Sequence, residues 1–150
     1  MVTIMAGPPK AVSFTVAGEP RSKQRARVTA RGTYTPAETR QAERVIASAF
    51  RKTGCEPFQF PVLVEVHFYN GNKRRRDLDN MAKLVLDALN KVAYADDYQV
   101  VELNLRKIHT TPDQARTVIN LIEVIEWPCE TKTVREIPGS RLRLRSLRGD

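Results

Sequence analysis

The sequence predicts an α/β protein of the α+β kind. One domain is expected, with a mixed β-sheet of about four to six strands and two main helices packed on it. Three observations predict this. Val62, Val64, Val66 and Phe68 alternate with Leu63, Glu65, His67 and Tyr69, the period-two pattern of a strand. Two other stretches repeat apolar residues at steps of three and four, as core-facing helices do. Strand-like and helix-like segments also intermix along the chain, so they are expected to share one core.

Taken in order, residues 1–10 read as a loose leader. Val12, Phe14 and Val16 then alternate as a half-buried strand, stopped by Gly18 and Pro20. From Arg21 to Arg31 come five cations and no acid: Arg21, Lys23, Arg25, Arg27 and Arg31. That segment suits either a solvated loop or an arm that contacts phosphates. Val28 to Thr35 fits a short hairpin turning at Arg31-Gly32. Thr35-Pro36-Ala37-Glu38 predicts a helix start, with Thr35 as cap, Pro36 in the first helical position and Glu38 closing a capping box. Ala42, Val45, Ile46, Ala49 and Phe50 form the stripe of this first helix, and Gly54 is expected to end it.

After the strand at Val62–Phe68 the chain concentrates its charge. Lys73, Arg74, Arg75 and Arg76 run into two carboxylates one residue apart, Asp77 and Asp79. Leu78, Met81, Ala82, Val85, Leu86, Leu89 and Val92 then mark one face of a second helix. On another face Asp79, Lys83, Asp87 and Lys91 stand four apart, so Lys83 lies one turn beyond Asp79. A second acidic pair, Asp96 and Asp97, follows the helix. Each part has a plain reading: an alternating-sign ladder is usually a solvated face, and Asp77 could cap the helix. The conjunction has another. Cations beside closely set carboxylates suit a phosphodiester held while divalent metal acts on it. Val100–Ile108 and Thr117–Trp127 read as two final strands. With Thr110-Thr111-Pro112-Asp113 as the turn, they are expected to form an antiparallel hairpin. Residues 128–150 read as a basic tail, in which Arg141–Arg145 could add a strand, lie along DNA or do neither.

Composition narrows the partners. The chain has 25 Lys and Arg against 17 Asp and Glu, a formal charge of +8, which favours polyanions. No apolar run approaches a membrane span, and the N-terminus lacks the pattern of a signal peptide. Cys55 and Cys129 are too few for a disulfide framework, and His67 and His109 stand apart. An oxygen-ligated metal in a reducing compartment fits these counts.

The segments RRRDLDNMAKLVLDALNKV and DDYQVV resemble the R-x-D-x-D-N-x-x-K-x-x-x-D-A-L core and later D-D-x-Q of the RusA-type Holliday junction resolvases. VAGEPRSKQRARV and TYTPAET resemble that family's first strand with its basic segment and the entry to its first helix, so the likeness runs from about Val12 to Val124. The resemblance implies a RusA-like domain over residues 1–127. It also implies a Mg²⁺-dependent endonuclease, with Mn²⁺ able to substitute, that cuts four-way DNA junctions as a homodimer in a bacterial or phage-infected cytoplasm. It places metal-binding carboxylates at Asp77, Asp79 and Asp97 and a catalytic lysine at Lys83. Arg21, Lys23, Arg25, Arg27, Lys73, Arg74, Arg75 and Arg76 are the expected DNA contacts. Of the later pair the resemblance assigns a metal only to Asp97, and Asp87 is read as a residue of the helix face or one that supports a ligand from behind.

One geometrical difficulty is already visible. A helix from Leu78 to Tyr94 would put its two ends about 25 Å apart, too far for Asp79 and Asp97 to share a metal. Either the helix stops near Asn90 and the next residues turn back, or a two-fold partner lends its Asp97. Two other classes compete with a nuclease. A basic DNA-binding protein without catalysis would use the carboxylates as caps and ion pairs. A D-x-D phosphatase or nucleotide-sugar transferase would normally set its motif directly after an apolar strand, where here four cations intervene.

Overall fold

The computed structural model describes residues 8–125. The expected tail beyond Pro128, with Arg141–Arg145, and the first seven residues lie outside them. The described residues form the expected α+β architecture. Strand β1 (Ala11–Ala17) is followed by a small hairpin of β2 (Arg27–Thr29) and β3 (Gly32–Tyr34). Helix α1 (Ala37–Lys52), strand β4 (Val62–Asn70), helix α2 (Leu78–Leu89), strand β5 (Val100–His109) and strand β6 (Arg116–Glu123) complete the order. Four strands make the main sheet in the order β1-β6-β4-β5, and β2-β3 stands apart.

Both helices cover one face of that sheet. Val62, Val64, Val66 and Phe68 of β4 join Phe14, Ile119 and Leu121 from neighbouring strands in a buried cluster. Ile46 and Phe50 of α1 and Met81, Leu84, Val85 and Leu89 of α2 close over it. Truncating such a residue to alanine typically costs about 2–5 kcal/mol, which is why the periodicities were readable.

Three details depart from the sequence-based expectation. First, β5 and β6 are not a hairpin. β4 lies between them, parallel to β5 and antiparallel to β6, while β6 also pairs with β1. The turn at Thr110–Asp113 therefore carries the chain across β4 instead of folding it back on itself. Second, α1 begins at Ala37 with Pro36 in the capping position and no side-chain cap. Glu38 instead accepts from the Gln24 side chain at 3.0 Å, which ties the basic segment to the helix. Third, Lys10 belongs to the fold and not to a leader, because the Glu123 N–H donates to its carbonyl at 2.8 Å. Gly54 ends α1 as expected, with φ at +72°.

The end of α2 matters most for function. The helix stops at Leu89, Asn90 is extended, and Lys91 takes the left-handed conformation at φ 61°. The Tyr94 hydroxyl donates to the Leu86 carbonyl at 3.1 Å, which also accepts the Asn90 N–H at 3.0 Å, so the returning chain is tied to the last turn of the helix. Burial, then the charges of Asp97 and Asp87, push the Tyr94 hydroxyl well above the ordinary tyrosine pKa. Phe58 N–H donates to Ala93 at 2.7 Å, and the chain then enters a 3₁₀ turn, Asp97–Gln99, ahead of β5.

Gln99 anchors that turn. Its buried amide donates to the carbonyls of Phe58 (3.0 Å) and Phe60 (3.3 Å) and accepts from the N–H groups of Ala95 (2.9 Å) and Asp96 (3.3 Å). Gln99→Leu would keep the bulk and strand these four backbone groups, a loss of roughly 2–4 kcal/mol. A lower urea midpoint with an unchanged slope is the expected observation. A midpoint like that of the parent chain would remove the anchoring role.

Candidate metal and nucleic-acid site

Asp77 and Asp79 stand where α2 opens, one short loop beyond the end of β4. Both are exposed. Asp77 occupies the N-cap position, yet its carboxylate accepts no capping hydrogen bond from the helix. Its one side-chain contact is a long 3.5 Å approach from the Asn80 amide. The plain capping role is therefore not what its side chain does, and it stands exposed, as does Asp79 two residues on.

The loop that carries this pair is held from behind. Glu19, at the end of β1, accepts from the Gly71 N–H with both carboxylate oxygens, at 3.2 and 3.0 Å. It also accepts from the Arg76 guanidinium at 3.3 Å, and Asn72 accepts from the same guanidinium nitrogen at 3.0 Å. Lys107 of β5 donates to the Arg76 carbonyl at 2.9 Å. Gly71 is required by packing: a Cβ there would lie 2.6 Å from Pro112 Cα and 2.8 Å from the Thr111 carbonyl oxygen, both backbone atoms. Glu19, Asn72 and Lys107 were not singled out in the sequence. No local pattern marks Glu19 and Lys107, whose contacts to Arg76 span 57 and 31 residues, and Asn72, four residues from Arg76, lies in a loop with no periodic pattern.

The expected DNA contacts divide into two groups. Arg21, Arg25, Arg27, Lys73, Arg74 and Arg75 are exposed. Arg76 turns inward, its side chain only 10% exposed beside Glu19. Lys23 is likewise spent internally, bonded to Asp87 with Glu43 at 3.9 Å. Its backbone N–H donates to the Asn80 carbonyl at 3.0 Å, which pins the basic arm along the start of α2. The two basic segments meet at a polar cleft of about 260 Å³ lined by Arg21, Ser22, Gln24, Asn72, Arg74 and Arg76, with Glu19 behind. Cations about fifty residues apart in sequence thus face one groove. Lys83 is exposed one turn beyond Asp79, and among the described residues it has no hydrogen-bonded or ion-pair partner.

Asp97 lies elsewhere. Because β4 and β5 are parallel, with Val62 opposite Val100, the residues ahead of β5 sit at the opposite end of the sheet from those that follow β4. The nine residues of β4 alone span about 26 Å. The helix does stop near Asn90, as one of the two solutions required, but the chain emerges at the far end. Asp97 comes close to Asp87 and Tyr94 instead. Its hydrogen bond with Asp96 holds the Asp97 carboxyl above the usual range, with burial and the neighbouring negative charges adding to this. Asp96 moves the other way, chiefly because it accepts the Tyr98 N–H. Among the described residues, no three His, Cys, Asp or Glu side chains gather closely enough to hold a metal ion.

The family model described as endodeoxyribonuclease RusA matches residues 17–122. The chain belongs to the RusA family. Crossover junction endodeoxyribonuclease RusA of Escherichia coli strain K12 is 36% identical over 69 residues, covering 45% of this chain and 55% of that protein. The protein of that name from Shigella sonnei strain Ss046 matches to the same extent. The crossover junction endodeoxyribonuclease rusA of Enterobacteria phage 82 is 40% identical over 52 residues, covering 34% of this chain and 43% of that protein. The chain therefore spans about half the length of the curated relatives it matches. No helix of the described residues is long and apolar enough to cross a membrane.

Proposed function

We propose that this RusA-family chain is a Mg²⁺-dependent endonuclease that resolves Holliday junctions by paired phosphodiester hydrolysis. The observation that carries the reading is the acidic pair at the mouth of α2, with free oxygens, beside a groove where two basic segments converge. The donor set fits Mg²⁺, which takes oxygen ligands and keeps several waters, so few carboxylates are needed. When bound, the ion supplies Lewis acidity toward water and the scissile phosphate. Asp77 and Asp79 hold it. Lys83, on the same helix, offsets negative charge as it builds on the phosphate. Arg21, Arg25, Arg27 and Lys73–Arg75 bind the flanking backbone, while Arg76 and Lys23 hold the two basic segments in place.

The third carboxylate of this reading, Asp97, is too far along the sheet to serve its own chain. It serves the site of a second copy in a two-fold homodimer, so each half of a junction meets one complete site. Purified protein with a labelled immobile four-way junction tests the reading. Symmetrical cuts are expected with Mg²⁺, or with Mn²⁺ in its place, and none with EDTA. An uncut junction under every metal condition would overturn it.

One observation favours a second reading, in which the protein binds branched DNA without cutting it: a single chain does not gather three carboxylates among its described residues. That protein would show steeply salt-dependent binding and no Mg²⁺-dependent nicking.

A further inference from the structure

The hairpin of β2 and β3 adds nothing to the core. Every residue from Arg25 to Tyr34 is exposed, and Arg27 pairs with Tyr34, Val28 with Thr33 and Thr29 with Gly32. Paired residues share a face, so one side of the ribbon carries Arg27 and Tyr34 and the other carries Val28 and Thr33. Val28 is 82% exposed and Tyr34 45% exposed. A single apolar side chain in water is ordinary. A ribbon wet on both faces is not, because two strands without a covering layer are barely stable alone. This one is nevertheless built to hold its shape. The Thr29 hydroxyl donates to the Gly32 carbonyl at 3.0 Å and accepts from the Arg31 N–H at 3.3 Å, and Gly32 takes φ +121° to close the turn.

The root of the ribbon is fixed at the openings of both helices. Gln24 donates from its N–H to the buried Thr39 hydroxyl at 3.4 Å, and its side-chain amide donates to the Glu38 carboxylate at 3.0 Å. The Lys23 N–H holds the Asn80 carbonyl, one residue beyond Asp79. From Gln24 the chain can reach at most about 20 Å to Ala30, some six base steps of DNA. Charge selects the partner of this ribbon. Arg25, Arg27 and Arg31 make no ion pair among the described residues, and no acid lies between Arg21 and Tyr34. A polyanion that also offers flat apolar surface answers both features, and that is a nucleic acid with base faces uncovered.

We infer that the β2–β3 ribbon enters the branch point of the DNA, with Tyr34 stacked on an uncovered base and Val28 against another on the ribbon's opposite face. Arg25, Arg27 and Arg31 then meet the phosphates around the opening. The inference rests on the proposed reading of branched DNA as substrate, and adds to it the device that tells a junction from a duplex. Within a duplex each base is covered above and below, so entry first costs the unstacking of a step. At a branch the end pairs of neighbouring arms part at little cost, and each of the two side chains gains a base face. The arginines attract both forms alike, since phosphate contacts position the protein without identifying the sequence or form bound.

Binding in EDTA with the full chain tests this apart from cleavage. Tyr34→Ala and Val28→Ser are each expected to weaken binding to an immobile four-way junction about five- to thirtyfold. Binding to a duplex of the same arm sequence should stay within about twofold. Tyr34→Phe keeps the ring and should keep the junction preference. Urea midpoints should not move, because neither side chain belongs to the core. 5-Iodouracil at the branch is expected to cross-link to Tyr34 under light, and 5-iodouracil about ten base pairs along an arm is not. Equal losses on junction and duplex, or cross-linking from the arm alone, would overturn the inference. So would variants that change self-association in sedimentation and leave junction preference intact, which would make the ribbon a contact between copies. Loss of preference in a chain that never cuts would keep the ribbon's role and overturn the nuclease reading. Unchanged preference in a chain that cuts junctions would do the reverse.

Discussion

Asp79→Asn is expected to lower Mg²⁺-dependent junction cleavage by at least about 10³-fold, the rate equivalent of roughly 4 kcal/mol. Junction affinity should hold or rise slightly. The substitution keeps the side chain's shape and removes one negative charge close in sequence to the basic run Lys73–Arg75. Gel-shift titration in EDTA and single-turnover cleavage in Mg²⁺, on the same preparation, separate the two effects. Asp87→Asn is the instructive contrast. Asp87 holds Lys23 two turns along α2 from Asp79, so its loss should loosen the basic arm and weaken binding first. If Asp79→Asn chains still cut, the acidic pair at the start of α2 is not the metal site. If they no longer bind, Asp79 supports the DNA groove and its role is not confined to chemistry.

Much of this was legible in the sequence, for a physical reason. The strand at β4 and the helix stripes were readable because burial on one face imposes a short period, and that information is local. The acidic pair at the opening of α2 was readable because β4 aims at it and the cations separate them. What could not be read was set by partners distant in sequence. The turn before β6 has the composition of a hairpin turn, but β4 offers both its edges and takes β5 on one and β6 on the other. The end of α2 was open because Val92 continues the apolar stripe, although Lys91 has already left the helix. Charge counting credited Arg76 and Lys23 to DNA, whereas Glu19 and Asp87 turn both inward. Composition reports how many cations a chain carries, and only the fold reports which of them are already paired.

The placement of Asp97 leads to the sharpest expected result. Asp79→Asn chains and Asp97→Asn chains should each be inactive alone. Mixed, unfolded and refolded together, they should regain cleavage, to about a quarter of the parent rate if pairing is random. Half of the dimers would then be mixed, and each mixed dimer would hold one site with both aspartates intact and one with neither. Such a dimer has a further mark: it nicks a junction once and does not resolve it, so nicked four-way product accumulates without linear duplex. A site built within one chain predicts the opposite, since every site in the mixture would lack one aspartate and none would cut. Parallel β4 and β5 put the two carboxylates at opposite ends of one sheet, and a strand about 26 Å long cannot be bridged by side chains. Restored nicking would therefore mean that the second chain completes the site. Its absence, with both variants dimeric and DNA-bound, would mean that Asp97 is no ligand and that Asp77 and Asp79 must hold the ion with other oxygens.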